Sequence, residues 1–200
     1  MQSQRRASYE EFSIPYGRVC VKLGLTPNVL TVLGLLSAAA AGVALWQEWF
    51  LLGVALILLA SILDMLDGAT ARAGNMGTTF GTVLDHNVDR FGEFLVILGI
   101  MLSERVAPGW GMFSLFGMWS ASYARAVAES KGGLRSCTVG LMGRFEKFVL
   151  IIIGAILEIF FPFVALEIAL IVVGVVSLVT TGQRLVFTHR ELSQRDGPRP

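Results

Sequence analysis

Residues 64–89 read DMLDGATARAGNMGTTFGTVLDHNVD, with four aspartates, Asp64, Asp67, Asp85 and Asp89, set in or at the edge of strongly apolar sequence. A carboxylate near the membrane interior is costly and is kept where a partner compensates it. Four acids cannot neutralise one another, so a hard cation is the natural partner. Asp64 and Asp67 are three residues apart, and Asp85 and Asp89 are four apart, so in helices each pair shares a face. Gly68 and Ala71 continue the first face, and Gly77 and Gly81 lie on the face of Asp85. Small residues in such a stripe let two membrane helices approach closely. The stretch therefore reads as the end of one helix and the start of the next, with both acid pairs converging.

The rest of the chain agrees with a membrane setting. Hydrophobic residues make up 54% of its 200 positions and the mean hydropathy is +0.66. A soluble domain of this length would have too little polar surface, so the class is all-α integral membrane. Apolar stretches long enough to approach a bilayer crossing fall at about 29–46, 49–72, 78–103, 109–129, 143–161 and 163–187. Short connections between them predict a single six-helix bundle over 25–188. Residues 1–24 read as a cytoplasmic juxtamembrane segment, with a short interfacial helix broken at Pro15, and 189–200 as a disordered cytoplasmic tail. The N-terminus has no apolar core or small-residue cleavage site, so it is not a signal peptide. In a six-helix layout every Lys and Arg except Arg105 falls on one side. The positive-inside rule then places both termini and the acidic stretch at the cytoplasmic face of the cell membrane. Trp46, Trp49 and Trp110 mark the opposite interface. Cys20 and Cys137 lack metal-ligand spacing and read as free thiols.

Carboxylate oxygens select Mg²⁺, Mn²⁺ or Ca²⁺ over zinc. His86 points about 100° away from Asp85 on a helix and is not expected to join them. Arg72, one turn beyond Gly68, is the nearest cation able to grip a phosphate. Carboxylates that hold a cation beside an arginine suit phosphoryl transfer. Inter-helix salt bridging does not explain the acids, because too few bases lie nearby.

The spacing Asp64-x2-Asp67-Gly68-x2-Ala71-Arg72-x8-Gly81-x3-Asp85-x3-Asp89 resembles the signature of the CDP-alcohol phosphotransferase family at all eight of its fixed positions, and the six-helix layout extends the likeness over most of the chain. The resemblance implies that Asp64, Asp67, Asp85 and Asp89 surround one or two Mg²⁺ or Mn²⁺ ions, with Asp89 the general base. It implies that Gly68, Ala71 and Arg72, with Gly81 and the first three aspartates, hold the CDP moiety. Asn28 and Thr31, in Thr26-Pro27-Asn28-x2-Thr31, resemble the family's nucleotide-side segment, and a helix N-terminus suits phosphate. The donor implied is CDP-diacylglycerol or CDP-archaeol among the membrane lipids. The family likeness also suggests a homodimer, and no nucleic-acid partner is expected.

The acceptor is read from a second, basic cluster of Arg125, Lys131, Arg144 and Arg184, with Arg135 and Lys147 nearby. Arginine forks match phosphate, so the cluster suits an anionic acceptor, whereas isolated basic residues at helix ends can also snorkel to the interface. SYARAVAE, GLMGRFEK and TTGQR resemble the branch that joins inositol phosphate to a CDP-lipid, which implies Arg125, Arg144 and Arg184, with Lys131, as acceptor contacts. Glycerol 3-phosphate and serine stay open as acceptors. The reading from a different class is a divalent cation transporter, but neither midplane acids nor inverted repeats are present to support it.

Overall fold

The computed structural model describes residues 13–196, and every element among them is helical. Residues 13–22 form α1, followed by α2 (Pro27–Trp46), α3 (Phe50–Ala73), α4 (Thr79–Leu102), α5 (Pro108–Ser130), α6 (Arg144–Leu157) and α7 (Ala165–Asp196). Helices α2 to α7 coincide with the six apolar stretches. Among the described residues three helices, α2, α3 and α7, are long and apolar enough to cross a membrane, with mean hydropathies of 2.1, 2.2 and 2.1. Large apolar side chains are exposed along them, among them Leu36, Leu51, Leu59 and Val175, as expected where lipid is the solvent. Helix α4 carries Asp85, Asp89 and Arg90 in its first half and Glu93 just past its middle, and α6 has only 14 residues.

The described residues divide into two compact units between Gly99 and Ile100. In the first, Thr26 caps α2 by accepting from Val29 N–H, and Pro27 fills the first helical position, where a missing N–H does no harm. Glu48, at φ 61°, turns the chain sharply from α2 into α3. Ser37 Oγ donates to Leu56 O at 2.9 Å across that hairpin. Thr78 caps α4, accepting from Gly81 N–H at 2.9 Å. Helices α2 and α4 cross backbone to backbone, since a Cβ on Gly99 would fall on the Gly42 carbonyl. Gly99→Ala should therefore destabilise the fold by about 1–3 kcal/mol through overpacking, read as a lower thermal midpoint in detergent. Gly109→Ala, where nothing lies within 4 Å of the added carbon, should leave the midpoint in place.

Two expectations are corrected here. Helix α1 runs unbroken over 13–22, and a Cβ on its Gly17 would strike the Ala69 carbonyl of α3. Pro15 is the third residue of this helix as described, in a first turn where its missing N–H interrupts no hydrogen bond within 13–22, so no break is seen there. Residues 1–12 of the expected juxtamembrane segment lie outside the described residues. At the other end α7 continues to Asp196, so residues 189–196 are helical where a disordered tail was expected. Arg195 Nη1 donates to Gly132 O at 3.2 Å and ties that last turn down. Residues 197–200 lie outside the described residues.

In the second unit α5 and α6 both pack on α7. The turn between α6 and α7 is held by Glu158, a fully buried carboxylate that accepts from Phe163 N–H and, at 2.9 Å, from Leu166 N–H. On the other side of the unit the 131–143 connection is anchored by Arg184. Its Nε donates to Val139 O at 3.1 Å and its Nη1 to Ala121 O.

Candidate active site

The first unit builds a candidate cation site from two helices. Asp64 and Asp67 stand in the second half of α3, and Asp85 stands two turns into α4. One carboxylate oxygen from each lies within 4.8 Å of the others. Three carboxylates at that separation repel: at an effective dielectric constant of about 20, each ionised pair opposes the arrangement by at least about 3 kcal/mol. A divalent cation reverses that sign, and the all-oxygen donor set fits Mg²⁺ or Mn²⁺. The residues present therefore fit the expected metal. Asp89, one turn along α4 from Asp85, is not one of this mutually close three. Three of the four expected carboxylates are thus mutually close, and Asp89 stands on the same face of α4 one turn further along.

Each member has its own support. Asp67 is buried and takes a 2.6 Å hydrogen bond from Thr31 Oγ1 of α2. That bond ties Thr31, expected on the nucleotide side, to a carboxylate of the acidic group. Asn28 lies at the start of α2, where its Oδ1 would be 3.5 Å from a Cβ on Gly81. The openings of α2 and α4 therefore lie side by side. Arg72, in the last turn of α3, is exposed, and its Nη2 donates to the buried Ser13 Oγ of α1 at 3.1 Å. A Cβ on Gly68 would meet Arg72 Nη1 at 3.3 Å, so the glycine leaves room for the guanidinium to lie back along α3. Ala71 sits beside Arg72 in the same turn. His86 is mostly exposed, with Nδ1 on Thr82 O at 3.0 Å, and is not in the carboxylate group.

Sequence reasoning missed Ser13, Gly17 and the pair Arg90–Glu93. Only the last left a signal: Glu93 continues the four-residue spacing of Asp85 and Asp89. Its side chain is fully buried, and its Oε1 lies 2.9 Å from Arg90 Nη2.

The basic cluster belongs to the second unit. Arg125, near the end of α5, pairs through Nε with Glu129 Oε1 at 2.9 Å, and the same oxygen accepts from Cys137 N–H. Lys131, exposed, caps the end of α5. Arg144 opens α6, its guanidinium carbon 5.8 Å from the Phe148 ring centroid. Arg184 is only 9% exposed, and its bonds to Ala121 O and Val139 O give it a structural task that its sequence context does not reveal.

Comparison with known proteins supplies the wider frame. Residues 24–188 match the family described as CDP-alcohol phosphatidyltransferase. An archaetidylinositol phosphate synthase of Pyrococcus horikoshii is 30% identical over 176 residues, covering 88% of this chain and 90% of its own. A phosphatidylinositol phosphate synthase of Mycolicibacterium smegmatis is 34% identical over 192 residues, covering 90% and 85%. The crystal structure of Mycobacterium tuberculosis phosphatidylinositol phosphate synthase in complex with manganese and citrate is similar at TM-score 0.77 and 30% identity, over 88% of each chain. The same enzyme with CDP-DAG bound is similar at TM-score 0.76 and 29% identity, over 89% of this chain and 94% of that one.

Proposed function

The chain belongs to the CDP-alcohol phosphatidyltransferase family, and on that premise we propose that it transfers a phosphatidyl or archaetidyl group from a CDP-linked lipid to a hydroxyl of inositol phosphate, releasing CMP. It is a membrane transferase. The observation that carries the proposal is the convergence of Asp64, Asp67 and Asp85 within 4.8 Å on the family's own spacing. The acceptor follows from relatives named for inositol phosphate products that align over most of both chains. The membrane domain is read as 25–188, with six crossings, both termini and the acids at the cytoplasmic face. The basic bias of one side supports that orientation.

In this reading Asp64, Asp67 and Asp85, with Asp89 alongside, hold Mg²⁺ or Mn²⁺. When bound, such an ion supplies charge that offsets the phosphates and the leaving group. Gly68, Ala71, Arg72, Gly81, Asn28 and Thr31 shape the nucleotide side. Asp89 takes the proton from the acceptor hydroxyl. The freed oxygen attacks the lipid-bearing β-phosphorus, the bond from that phosphorus to the bridging oxygen breaks, and CMP leaves with the electron pair. Arg125, Arg144 and Lys131 attract the acceptor's phosphate. Arg184 keeps their connection in place and adds its charge.

The test is CMP release from CDP-diacylglycerol and CDP-archaeol against a panel of acceptors. Inositol phosphate is expected to support turnover. Release with glycerol 3-phosphate or serine and none with inositol phosphate would overturn the acceptor assignment. Arg144→Ala should raise the KM for inositol phosphate by about 10-fold or more, the loss of one charge-assisted contact, and leave the KM for the CDP-lipid unchanged.

A further inference from the structure

Glu93 lies on α4 four residues past Asp89 and eight past Asp85, extending the acidic stripe one turn further along the helix. The side chain is 0% exposed, and Arg90 Nη2 stands 2.9 Å from its Oε1. The same Nη2 stands 3.9 Å from Asp89 Oδ2. One guanidinium therefore reaches two carboxylates, anchored on the buried one and turned toward the more accessible one. Arginine's planar fork suits this, because its nitrogens are fixed relative to one another. The helix beneath is fixed as well. A Cβ on Gly42 of α2 would fall on the Leu95 carbonyl, and one on Gly99 would fall on that of Gly42. This part of α4 cannot slide without breaking that crossing. A fully buried carboxylate is costly unless a cation lies beside it, and Arg90 is the cation placed 2.9 Å from Glu93, so the burial of Glu93 keeps the guanidinium close to it.

We infer that Glu93 is a positioning residue for the reaction: it holds the Arg90 guanidinium so that the Asp89 carboxylate stays turned to receive the acceptor's proton. The inference rests on Asp89 being the base. Glu93 itself touches neither substrate nor cation in this scheme.

The test uses the full chain in detergent with Mn²⁺ and four variants: Glu93→Gln, Arg90→Gln, both together, and Asp89→Asn. Turnover, the KM for CDP-diacylglycerol, Mn²⁺ affinity by electron paramagnetic resonance and the thermal midpoint are read for each. Glu93→Gln is expected to lower kcat by about 10- to 100-fold, the effect of a small misplacement at a reacting group. Its KM and Mn²⁺ affinity should stay within about twofold of the parent, the pattern of a loss confined to the chemical step. The double variant should be no slower than Arg90→Gln alone, because Glu93 acts only through Arg90. Parent-level kcat in Glu93→Gln overturns the inference. So does an equal Glu93→Gln loss in both Arg90 backgrounds, or a loss of Mn²⁺ affinity in step with kcat. If Glu93→Gln fails to fold, Arg90→Gln decides, and parent-level kcat there overturns the inference. Turnover that survives in Asp89→Asn removes the base assignment, and the inference with it. An inactive Asp89→Asn beside a fully active Glu93→Gln removes the positioning role alone.

Discussion

Asp89→Asn is expected to lower the rate of CMP release by about 10²- to 10⁴-fold, the usual contribution of a general base, with CDP-lipid binding largely retained. The split follows from where Asp89 stands. It lies on α4 one turn beyond Asp85 and outside the group whose oxygens are within 4.8 Å of one another. Exchanging it for asparagine keeps the shape, removes the proton acceptor and leaves the three close carboxylates in place. Loss confined to the chemical step lowers kcat and kcat/KM together, whereas loss of uniform binding raises KM alone. CMP release measured beside calorimetric binding of the CDP-lipid separates the two. Equal loss of turnover and binding would reduce Asp89 to a structural ligand and leave the reaction without an assigned base.

Removal of the divalent cation should abolish turnover altogether. EDTA is expected to bring CMP release to background, and added Mg²⁺ or Mn²⁺ to restore it. Within the site, losses should be graded. Changes to groups that support a metal ligand cost about 10- to 100-fold in metal affinity. Thr31→Val, which removes the 2.6 Å hydrogen bond to Asp67, should weaken Mn²⁺ binding by that amount. Asp67→Ala removes the ligand itself, so its loss should exceed about 100-fold on the same scale. Mn²⁺ titrations followed by electron paramagnetic resonance give both values in one assay. Full turnover after chelation, or parent-level Mn²⁺ affinity in Asp67→Ala, would sink the assignment.

Much of this chemistry was legible in the chain because it is local. Helical period places Asp64 beside Asp67 and Gly68 beneath Arg72 with no knowledge of the rest of the molecule. The helices themselves were also legible, since α2 to α7 follow stretches of apolar sequence closely. Pro15 suggested a helix break, but it stands in the first described turn of α1, where proline is tolerated, and the polar run after His189 suggested disorder where Arg195 finds Gly132.

The sequence by itself determined the helical class, the family and a set of carboxylates suited to a cation, because each depends on short spacings within a helix or across one short connection. Tertiary structure alone decided what holds those groups. Thr31 reaches Asp67 across 36 residues, Ser13 reaches Arg72 across 59, and Arg184 reaches Ala121 across 63. It also decided that three acids and not four come within 4.8 Å, and that Arg184 spends its donors on backbone carbonyls. The reason is physical: periodicity specifies which face of a helix a side chain occupies, but the partner on the facing helix depends on crossing and depth. Those are set by close backbone contacts such as Gly42 on Gly99, which no short-range pattern encodes.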